Sequence, residues 1–377
     1  METKVFDCAI IGGGLAGLTL SIQLANAGHS VVLFEKEKYP FHKVCGEYIS
    51  MESYNFLERL GVPLSSMGLP MITEVGISSP NGNMLKRKLD LGGFGISRYT
   101  LDSTLAKIAT AKGVLVLEET KVADVSFVGT IFTINAGKET YRARVACGAF
   151  GKKSSLDRIL QRPSVNGHEK KKNYLAVKYH VTTDLPANRI ELHNFKNGYC
   201  GISKVDSDKY CLCYLTDSEN LKENGNSIKE MEKNVLMQNP FLKKYFSEAV
   251  FLNEQPYTIS QITFDKKSCI DKHILMLGDS AATIAPLCGN GMSMAMHAGY
   301  LLSPLIQQYV KGNISREQLE GDYTKLWNDM FATRVKTGKY LQSLFGKEIL
   351  TNATIGLLKH TPVITDKLIK LTHGEVF

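Results

Sequence analysis

The sequence predicts an α/β protein: a parallel sheet with helices on both faces, an inserted and mostly antiparallel second sheet, and helices at the C-terminal end. Two observations support this prediction. An apolar strand, a glycine-rich turn and a helix follow one another twice, at residues 5–27 and 274–302. Between them, at residues 174–265, short strands are separated by glycine, aspartate and serine, which is typical of antiparallel sheets. The 377 residues are enough for about two domains.

The first repeat opens with an apolar strand, Val5–Ile11, and continues into three glycines at residues 12–14. A helical stretch, residues 15–27, follows, and a second apolar strand, residues 30–34, ends at Glu35. In this order of strand, turn, helix, strand and acid, a GxGxxG motif indicates a Rossmann-like dinucleotide-binding unit.

Each residue of this motif has a physical role in binding a dinucleotide. Gly12 allows the tight turn, Gly14 lets a pyrophosphate approach the backbone, and Gly17 lets the helix pack closely on the sheet. The first N–H groups of the helix, at Leu15 and Ala16, face the phosphates. Glu35 lies 21 residues after Gly14, where an acid binds ribose hydroxyls and disfavours a 2′-phosphate, so we expect FAD or NAD rather than NADP.

Composition excludes several classes of protein. Apolar residues make up 44% and charged residues 22% of the chain, as in ordinary globular proteins. Because no run of about 18 apolar residues exists and the first strand starts close to Met1, we expect neither a membrane span nor a signal peptide, and a cytoplasmic location. Eight cysteines without a CxxC pair predict no metal site. The net charge of +8 comes with no nucleic-acid motif, so no nucleic-acid partner is expected.

The elements between the two repeats follow from local patterns. Residues 36–50 predict a loop and residues 51–60 a helix. An Asn-Gly pair at residues 81–82 lies between two alternating stretches and predicts a hairpin within residues 71–98. Residues 101–111 predict a helix, and residues 114–149 predict a strand and a small β-meander.

These elements suggest a discontinuous domain organisation. We expect a cofactor-binding domain from residues 1–70, 99–165 and 266–310, and a substrate-binding domain from residues 71–98 and 166–265. Residues 311–377 predict a C-terminal helical region. Its mixed lysine and leucine content permits shallow contact with a membrane surface, although a packed bundle has the same composition.

The second repeat adds the signature of a flavin. The apolar strand ends at Gly278 and Asp279, and a loop with Pro286, Gly289 and Gly291 precedes a helix. An acid at a strand end suits the hydroxyl groups of a ribityl chain. A glycine-lined backbone lets a flat ring approach, and a helix N-terminus favours negative charge on a reduced flavin.

With both motifs, the chain resembles the FAD-dependent oxidoreductases of the p-hydroxybenzoate hydroxylase fold, and within them the geranylgeranyl reductase-like branch. The resemblance extends to a KxCG segment, Lys43 to Gly46, and to Arg98 in GISRxxLD, which it implies lies beside the FAD. The candidate cofactor-binding residues are Gly12, Gly14, Leu15, Ala16, Gly17, Glu35, Lys36, Lys43, Cys45, Arg98, Gly278, Asp279, Pro286, Gly289, Asn290, Gly291 and Met292.

One departure from this family pattern concerns the electron donor. Hydroxylases of the fold carry an aspartate, in a middle motif, that serves both FAD and NAD(P)H; here Phe150 stands at that position. Because the sequence also has no second dinucleotide-binding motif, NADPH or NADH is expected only as a transient donor without a domain of its own.

Two residues are candidates for catalysis. The resemblance implies that Cys45 lies near the flavin ring, where a thiol could donate a proton; the alternative is a small buried residue. Glu47 could act as a general acid or base, or cap a helix. A redox-active pair of Cys45 with Cys288 is a further, sharper hypothesis.

The resulting hypothesis is an enzyme, an FAD-dependent oxidoreductase acting on a hydrophobic small molecule. The favoured reaction is NAD(P)H-dependent monooxygenation of an aromatic or polyketide-like ring. The alternatives are reduction of isoprenoid C=C bonds and a flavin-binding redox partner without its own NAD(P)H turnover. A halogenase is disfavoured because the tryptophan-rich motif is absent and Trp327 is the only tryptophan.

Overall fold

The computed structural model describes residues 4–152, 154–162, 173–264, 267–283, 289–344, 347–372 and 374–377. Its strands form two sheets, and the elements are numbered in chain order. The first sheet contains β1 (Val5–Ile11), β2 (Val31–Phe34), β6 (Leu115–Leu117), β7 (Val122–Val128), β8 (Ile131–Ala136), β9 (Glu139–Gly148), β16 (Ile270–Asp271) and β17 (Ile274–Met276).

The first sheet has the parallel core that the glycine motifs predict. Its order is β16-β17-β9-β1-β2-β6, and the pairs from β17 to β6 are parallel. The predicted meander is β7, β8 and β9, and β9 continues from it into the parallel sheet beside β1. Because β1 and β17 both end at the same edge, the glycine turns that follow them meet there.

The second sheet is mostly antiparallel, as predicted. It contains β3 (Tyr48–Ser50), β4 (Met71–Ser78), β5 (Met84–Gly95), β10 (Tyr174–Thr182), β11 (Arg189–Phe195), β12 (Gly198–Lys204), β13 (Tyr210–Asp217), β14 (Val250–Phe251) and β15 (Tyr257–Ile262). Its order is β14-β10-β13-β12-β11-β4-β5-β3, β15 pairs with β10, and β4 with β11 is a parallel pair.

The helices pack against both sheets. They are α1 (Leu15–Asn26), α2 (Tyr54–Arg59), α3 (Arg98–Ala111), α4 (Ser155–Ile159), α5 (Ser218–Glu223), α6 (Ile228–Asn234), α7 (Pro240–Glu248), α8 (Gly291–Val310), α9 (Arg316–Leu344), α10 (Glu348–His360) and α11 (Pro362–Thr372). Short 3-10 turns occur at Met51–Ser53, Leu64–Ser66, Leu236–Gln238 and Gly278–Ser280. Among the described helices, none combines the length and the apolar character that crossing a bilayer requires.

Two elements differ from the sequence prediction. Helix α3 begins at Arg98 rather than at residue 101, because the Ser97 hydroxyl accepts the N–H of Thr100 and caps the helix there. Residues 48–50, predicted as loop, form β3 and pair with β5. The segment after β2 therefore joins the second sheet. The division of the chain into domains stays a prediction.

The two sheets have separate cores. The larger core surrounds β1 and α1, and includes Ile10, Leu18 and Phe34. The smaller one lies between one face of β10 and the helices α6 and α7, and includes Val177 and Leu236. The opposite face of β10 carries Ala176, which lines the space between the two sheets.

Candidate functional site

A cavity of about 1130 Å³ lies between the two sheets. One end is bounded by the turns that follow β1, β2 and β17, and the other end by the inner face of the second sheet. It is at the upper limit of the range in which small molecules and cofactors bind. Of the candidate cofactor-binding residues, those that line it are Gly12, Gly14, Leu15, Ala16, Glu35, Lys36, Lys43, Cys45, Arg98, Gly278, Asp279, Gly289, Gly291 and Met292.

The turn after β1 leaves space for an anionic group. Gly12 has φ 112°, a backbone conformation that favours glycine. A Cβ on Gly14 would point into the cavity, 3.6 Å from Lys43 Nζ and 3.7 Å from an Arg98 guanidinium nitrogen. Helix α1 begins at the next residue and directs its free N–H groups to the same place. Two cations, a helix N-terminus and an absent side chain fit a pyrophosphate.

The cations at this end are held by acids. Arg98 donates two hydrogen bonds to Asp102, at 2.7 and 2.8 Å, and Lys43 Nζ lies 3.2 Å from the same carboxylate. Burial works against the Asp102 carboxylate, but Arg98 and Lys43 outweigh it and lower its pKa. Asp102 thus holds both cations beside Gly14. It also supplies the opposite charge that buried cations require.

Glu35 ends β2 and is 6% exposed. One carboxylate oxygen accepts the N–H of Gly13 at 3.0 Å, and the other accepts the N–H of Glu37 at 3.1 Å. The carboxylate is therefore rigidly oriented at the cavity edge, and each oxygen keeps a lone pair for a hydroxyl donor. This is a suitable arrangement for a ribose.

The second glycine motif reaches the cavity from the other side of α1. Gly278, Asp279, Gly289, Gly291 and Met292 line the cavity. Two predicted residues lie behind its surface: Asn290 is buried and donates to Glu52 at 2.9 Å, and Gly17 packs against the Gly12 carbonyl. Pro286 and Cys288 lie outside the described residues, and so does the proposed pairing of Cys45 with Cys288.

Cys45 lines the cavity. Its sulfur lies 3.5 Å from the Met292 sulfur and accepts the N–H of Glu47 at 3.4 Å. Its half-buried thiol thus faces the first turn of α8. The contact brings the KxCG segment and the second glycine motif, 247 residues apart, to one place.

Glu47 lies beneath this segment and is fully buried. Its carboxylate accepts the N–H of Arg98, the first residue of α3, at 2.9 Å, and pairs with the Lys178 ammonium and with His180 Nε2, the latter at 2.7 Å. Burial works to raise the pKa of Glu47, but the hydrogen bond from His180 and the charge of Lys178 outweigh it and lower the pKa. Glu47 is therefore a fixed carboxylate.

Cys211 lies beside Glu47 and His180. Possible ligand atoms of Glu47, His180 and Cys211 lie within 4.8 Å of one another, close enough for one metal ion. The Lys178 ammonium already contacts the same carboxylate, and burial raises the pKa of the Cys211 thiol well above its usual value. These four residues fit an ion-pair cluster better than a metal site, because a metal would compete with a cation and would need a thiolate.

His42 connects the cluster to the cavity, which it lines. Its ring stacks on Tyr99 with centroids 4.6 Å apart and meets the edge of His180 at 5.4 Å. Burial, followed by the charges of Lys178 and His180, lowers the pKa of His42 to about 4. The imidazole is therefore neutral at pH 7, a weak base that can accept a hydrogen bond.

The far end of the cavity is apolar. None of the described residues that the second sheet contributes to its wall is charged, and most are aliphatic. The aliphatic members are Val75, Ile77, Leu89, Ile190, Leu192, Ile202, Leu215, Ile259 and Ile262. Such a wall favours a ligand that is hydrophobic and carries no charge at this end.

The sequence analysis missed His42, Lys178, His180 and Cys211 as a group. A signal for two of them exists: in YLAVKYHV, residues 174–181, alternation places Lys178 and His180 on the face of Ala176, opposite the apolar face. Nothing in the local sequence indicates that Glu47 lies against that face.

Comparison with known proteins agrees with this geometry. A family model described as an FAD binding domain matches residues 3–325. Conditioned medium factor receptor 1 of Dictyostelium discoideum is 26% identical over 396 residues, which cover 97% of this chain and 73% of that protein. The digeranylgeranylglycerophospholipid reductase of Methanococcus vannielii is 22% identical over 351 residues, covering 86% of this chain and 82% of the relative.

A solved structure shares the fold over nearly the whole chain. The flavin-dependent brominase Bmp2 superposes with a TM-score of 0.81 at 19% identity and covers 98% of this chain and 93% of its own. At this identity the likeness shows the architecture only. The two-sheet arrangement predicted from the sequence is confirmed.

Proposed function

The chain belongs to the FAD binding domain family and is an FAD-dependent oxidoreductase, and we propose that it hydroxylates a hydrophobic ring that carries an alkyl chain, with NADPH or NADH as the electron donor. Bound FAD would supply the redox chemistry and the reaction with oxygen. The protein contributes binding, orientation and one hydrogen-bond acceptor. The observation that carries the proposal is a single cavity with a phosphate cradle at one end and an aliphatic wall at the other.

The cofactor would lie along the two glycine motifs. Gly14, with Lys43 and Arg98 beside it, would hold the pyrophosphate, and Glu35 the ribose. The Gly289–Gly291 turn and Asp279 would hold the flavin half, with Cys45 facing it. The same motifs bind FAD across the family, and the chain keeps each of their described residues.

The aliphatic wall supports an alkyl-bearing substrate. The second sheet offers the substrate isoleucine, leucine and valine side chains and no cation, so a carboxylate on the substrate would have no partner there. Each buried methylene of an alkyl chain contributes about 0.8 kcal/mol. A substrate with a polar ring and an apolar tail matches both ends of the cavity.

His42 supports oxygenation over reduction. Hydroxylation of a phenolic ring is assisted by electron release from the ring hydroxyl, and the neutral imidazole of His42 can accept a hydrogen bond from that hydroxyl and orient it. Its ring is oriented by Tyr99 and Tyr257, each 4.6 Å away. Reduction of a C=C bond would instead need a proton donor, which a histidine with a pKa of about 4 does not provide at neutral pH.

The test uses purified protein with FAD, NADPH or NADH, and a panel of alkylphenols and alkyl-substituted dihydroxybenzenes. With isotopically labelled oxygen, the product should gain one labelled oxygen atom. His42→Gln should slow turnover of phenolic substrates without weakening FAD binding, whereas His273→Gln, on an exposed histidine, should change neither. Absence of any oxygenated product across the panel would refute the proposal.

Reduction of an isoprenoid C=C bond is the second candidate. Cys45 supports it, because a thiol in the cavity wall can donate a proton, and the aliphatic wall suits an isoprenoid equally well. The same assay with geranylgeranyl-bearing lipids distinguishes the two. A product heavier by two hydrogens, lost in Cys45→Ser, would favour reduction.

The electron donor is a separate part of the proposal. Phe150 lines the cavity where the family aspartate that serves NAD(P)H is expected. An anaerobic titration with NADPH and with NADH, followed by flavin absorbance, tests direct hydride transfer. Bleaching supports it; a flavin that stays oxidised until dithionite is added, with every substrate present, would instead indicate that another protein supplies the electrons. The cytoplasmic location inferred from the sequence stays a prediction.

A further inference from the structure

The hairpin of α10 and α11 presents an apolar surface that the described part of the chain does not cover. Of the 17 exposed large apolar side chains that the structure describes, five lie in this hairpin. Ile349 and Val363, 87% and 80% exposed, are the two most exposed of all, and Leu357 is 64% exposed. On α10, residues 349, 350, 353 and 357 fall within about 100° of the helix circumference, so they form one stripe.

Basic side chains surround this stripe. Among the described side chains from residue 336 to residue 370, four lysines are exposed, but only one acidic residue is, Glu348. The exposed lysines are Lys336, Lys347, Lys359 and Lys370. An apolar stripe bordered by lysines is the pattern by which a helix lies in the surface of an anionic bilayer.

The hairpin also adjoins the apolar end of the cavity. Val75 on β4 lines the cavity, and Arg87 on β5 is its cross-strand partner, so both side chains project from the same face of the sheet. The Arg87 guanidinium donates to the carbonyl of Lys359 in the last turn of α10, at 3.4 Å. The C-terminal end of α10 therefore lies at the border of the aliphatic wall.

We propose that the α10–α11 hairpin docks onto an anionic lipid bilayer. Ile349, Leu357 and Val363 would enter the interface between headgroups and acyl chains, and the lysines would contact lipid phosphates. The docking proposal depends only on the exposed apolar side chains and lysines of the hairpin. Its consequence, that a lipid-dissolved substrate enters the cavity beside α10, rests on the proposed function.

A second copy of this chain fits the surface less well than a bilayer does. In a two-fold dimer, the same patch meets itself, so the lysines around the stripe would face the lysines of the partner. With only one exposed acid among the described side chains nearby, that contact would be repulsive. Lipid phosphates supply the charge that the patch lacks.

The test is cosedimentation of the full-length FAD-loaded protein with vesicles of phosphatidylcholine alone or with added phosphatidylglycerol. The protein should bind the anionic vesicles and should be released by salt. The triple variant Ile349→Ser, Leu357→Ser and Val363→Ser should lose at least tenfold in affinity. Val128→Ser with Val250→Ser is the matched control. These valines are 75% and 63% exposed but belong to β7 and β14, outside the α10–α11 hairpin.

A charge variant separates the two contributions. Lys347→Glu with Lys359→Glu should weaken binding to anionic vesicles by about fivefold or more per lysine. It should leave weak binding to neutral vesicles unchanged. All variants should keep the flavin absorbance of the parent protein, which shows that the fold and the cofactor site are intact.

Three outcomes would overturn the proposal. They are no binding to anionic vesicles, equal loss in the Val128 and Val250 control, and a concentration-dependent dimer that the triple variant abolishes. Hydroxylation of a soluble substrate tests the proposed function separately. Intact turnover without vesicle binding would reject only the docking of the α10–α11 hairpin. Vesicle binding without turnover would reject only the proposed hydroxylation.

Discussion

Replacing Glu47 with glutamine would remove one negative charge from a fully buried site and change little else. Glutamine keeps the shape of the side chain, and its amide oxygen can still accept the N–H of Arg98. The Lys178 ammonium, itself fully buried, would lose its counter-charge. The substitution thus tests whether the charge, rather than the packing, stabilises this region.

The expected loss is large. Removing one partner of a buried ion pair costs about 3–5 kcal/mol, because the remaining charge stays buried without compensation. Replacing both partners with uncharged groups of similar size is often nearly neutral. We therefore expect Glu47→Gln to lower the free energy of unfolding by about 3 kcal/mol or more, and Lys178→Met, added to it, to restore about 2 kcal/mol.

The measurement is urea unfolding of all four proteins of the double-mutant cycle, followed by circular dichroism. The pH dependence gives an independent check. Because the pKa of Glu47 is lowered in the folded protein, its stabilisation is present above the pKa of an unfolded glutamate, about 4.3, and is lost as the pH falls through the lower folded value. The difference between the parent and Glu47→Gln should shrink in that range. Equal effects of Lys178→Met in both backgrounds would refute the reasoning.

Three further predictions concern the cavity. Gly14→Val should abolish FAD retention in a flavin-absorbance assay, because its side chain would fill the cradle between two cations, whereas Gly321→Ala, at an exposed position of α9 with open space around its Cα, should retain FAD; retention by both would contradict the cradle. Cys45→Ser should retain FAD and ring hydroxylation, measured by product mass, and a loss of hydroxylation would assign the thiol a role in oxygenation. The rate of phenol hydroxylation should fall as the pH approaches 4, where His42 becomes protonated and can no longer accept a hydrogen bond from the substrate, and His42→Gln should lack this limb of the pH profile.

The cofactor end of the site could be predicted because local physics determines it. A strand, a glycine turn and a helix N-terminus are adjacent in sequence, so Gly12 to Glu35 indicate both the unit and its ligand. The second motif, at Gly278 and Gly289, works in the same way. That the two motifs face one cavity follows from the parallel order of β17, β9 and β1.

The charged cluster could not be predicted because it depends on long-range register. Lys178 and His180 meet Glu47 across 131 and 133 residues, and only the pairing of β10 with β13 fixes which way they point. Considered alone, Glu47 was equally compatible with a helix cap or a general acid. Its carboxylate accepts the first N–H of α3, and its lowered pKa leaves no proton to donate near neutral pH.

The segment from Lys43 to Glu52 explains why the two ends of the cavity are joined. Lys43 faces the phosphate cradle, Cys45 contacts Met292 in the first turn of α8, next to the flavin loop at residues 289–291, and Glu47 pairs with the second sheet through Lys178. Residues 48–50 then become a strand of that sheet, and Glu52 accepts from Asn290 behind the same flavin loop. Ten consecutive residues thus contact the cofactor end, the substrate sheet and the charged cluster. A shift of the second sheet on substrate binding would move Lys178 and, with it, Glu47. Because Glu47 accepts the N–H of Arg98 and lies two residues after Cys45, the backbone at both residues would move as well. Direct contacts therefore connect the second sheet, which forms the apolar wall, to residues that line the cofactor end of the cavity.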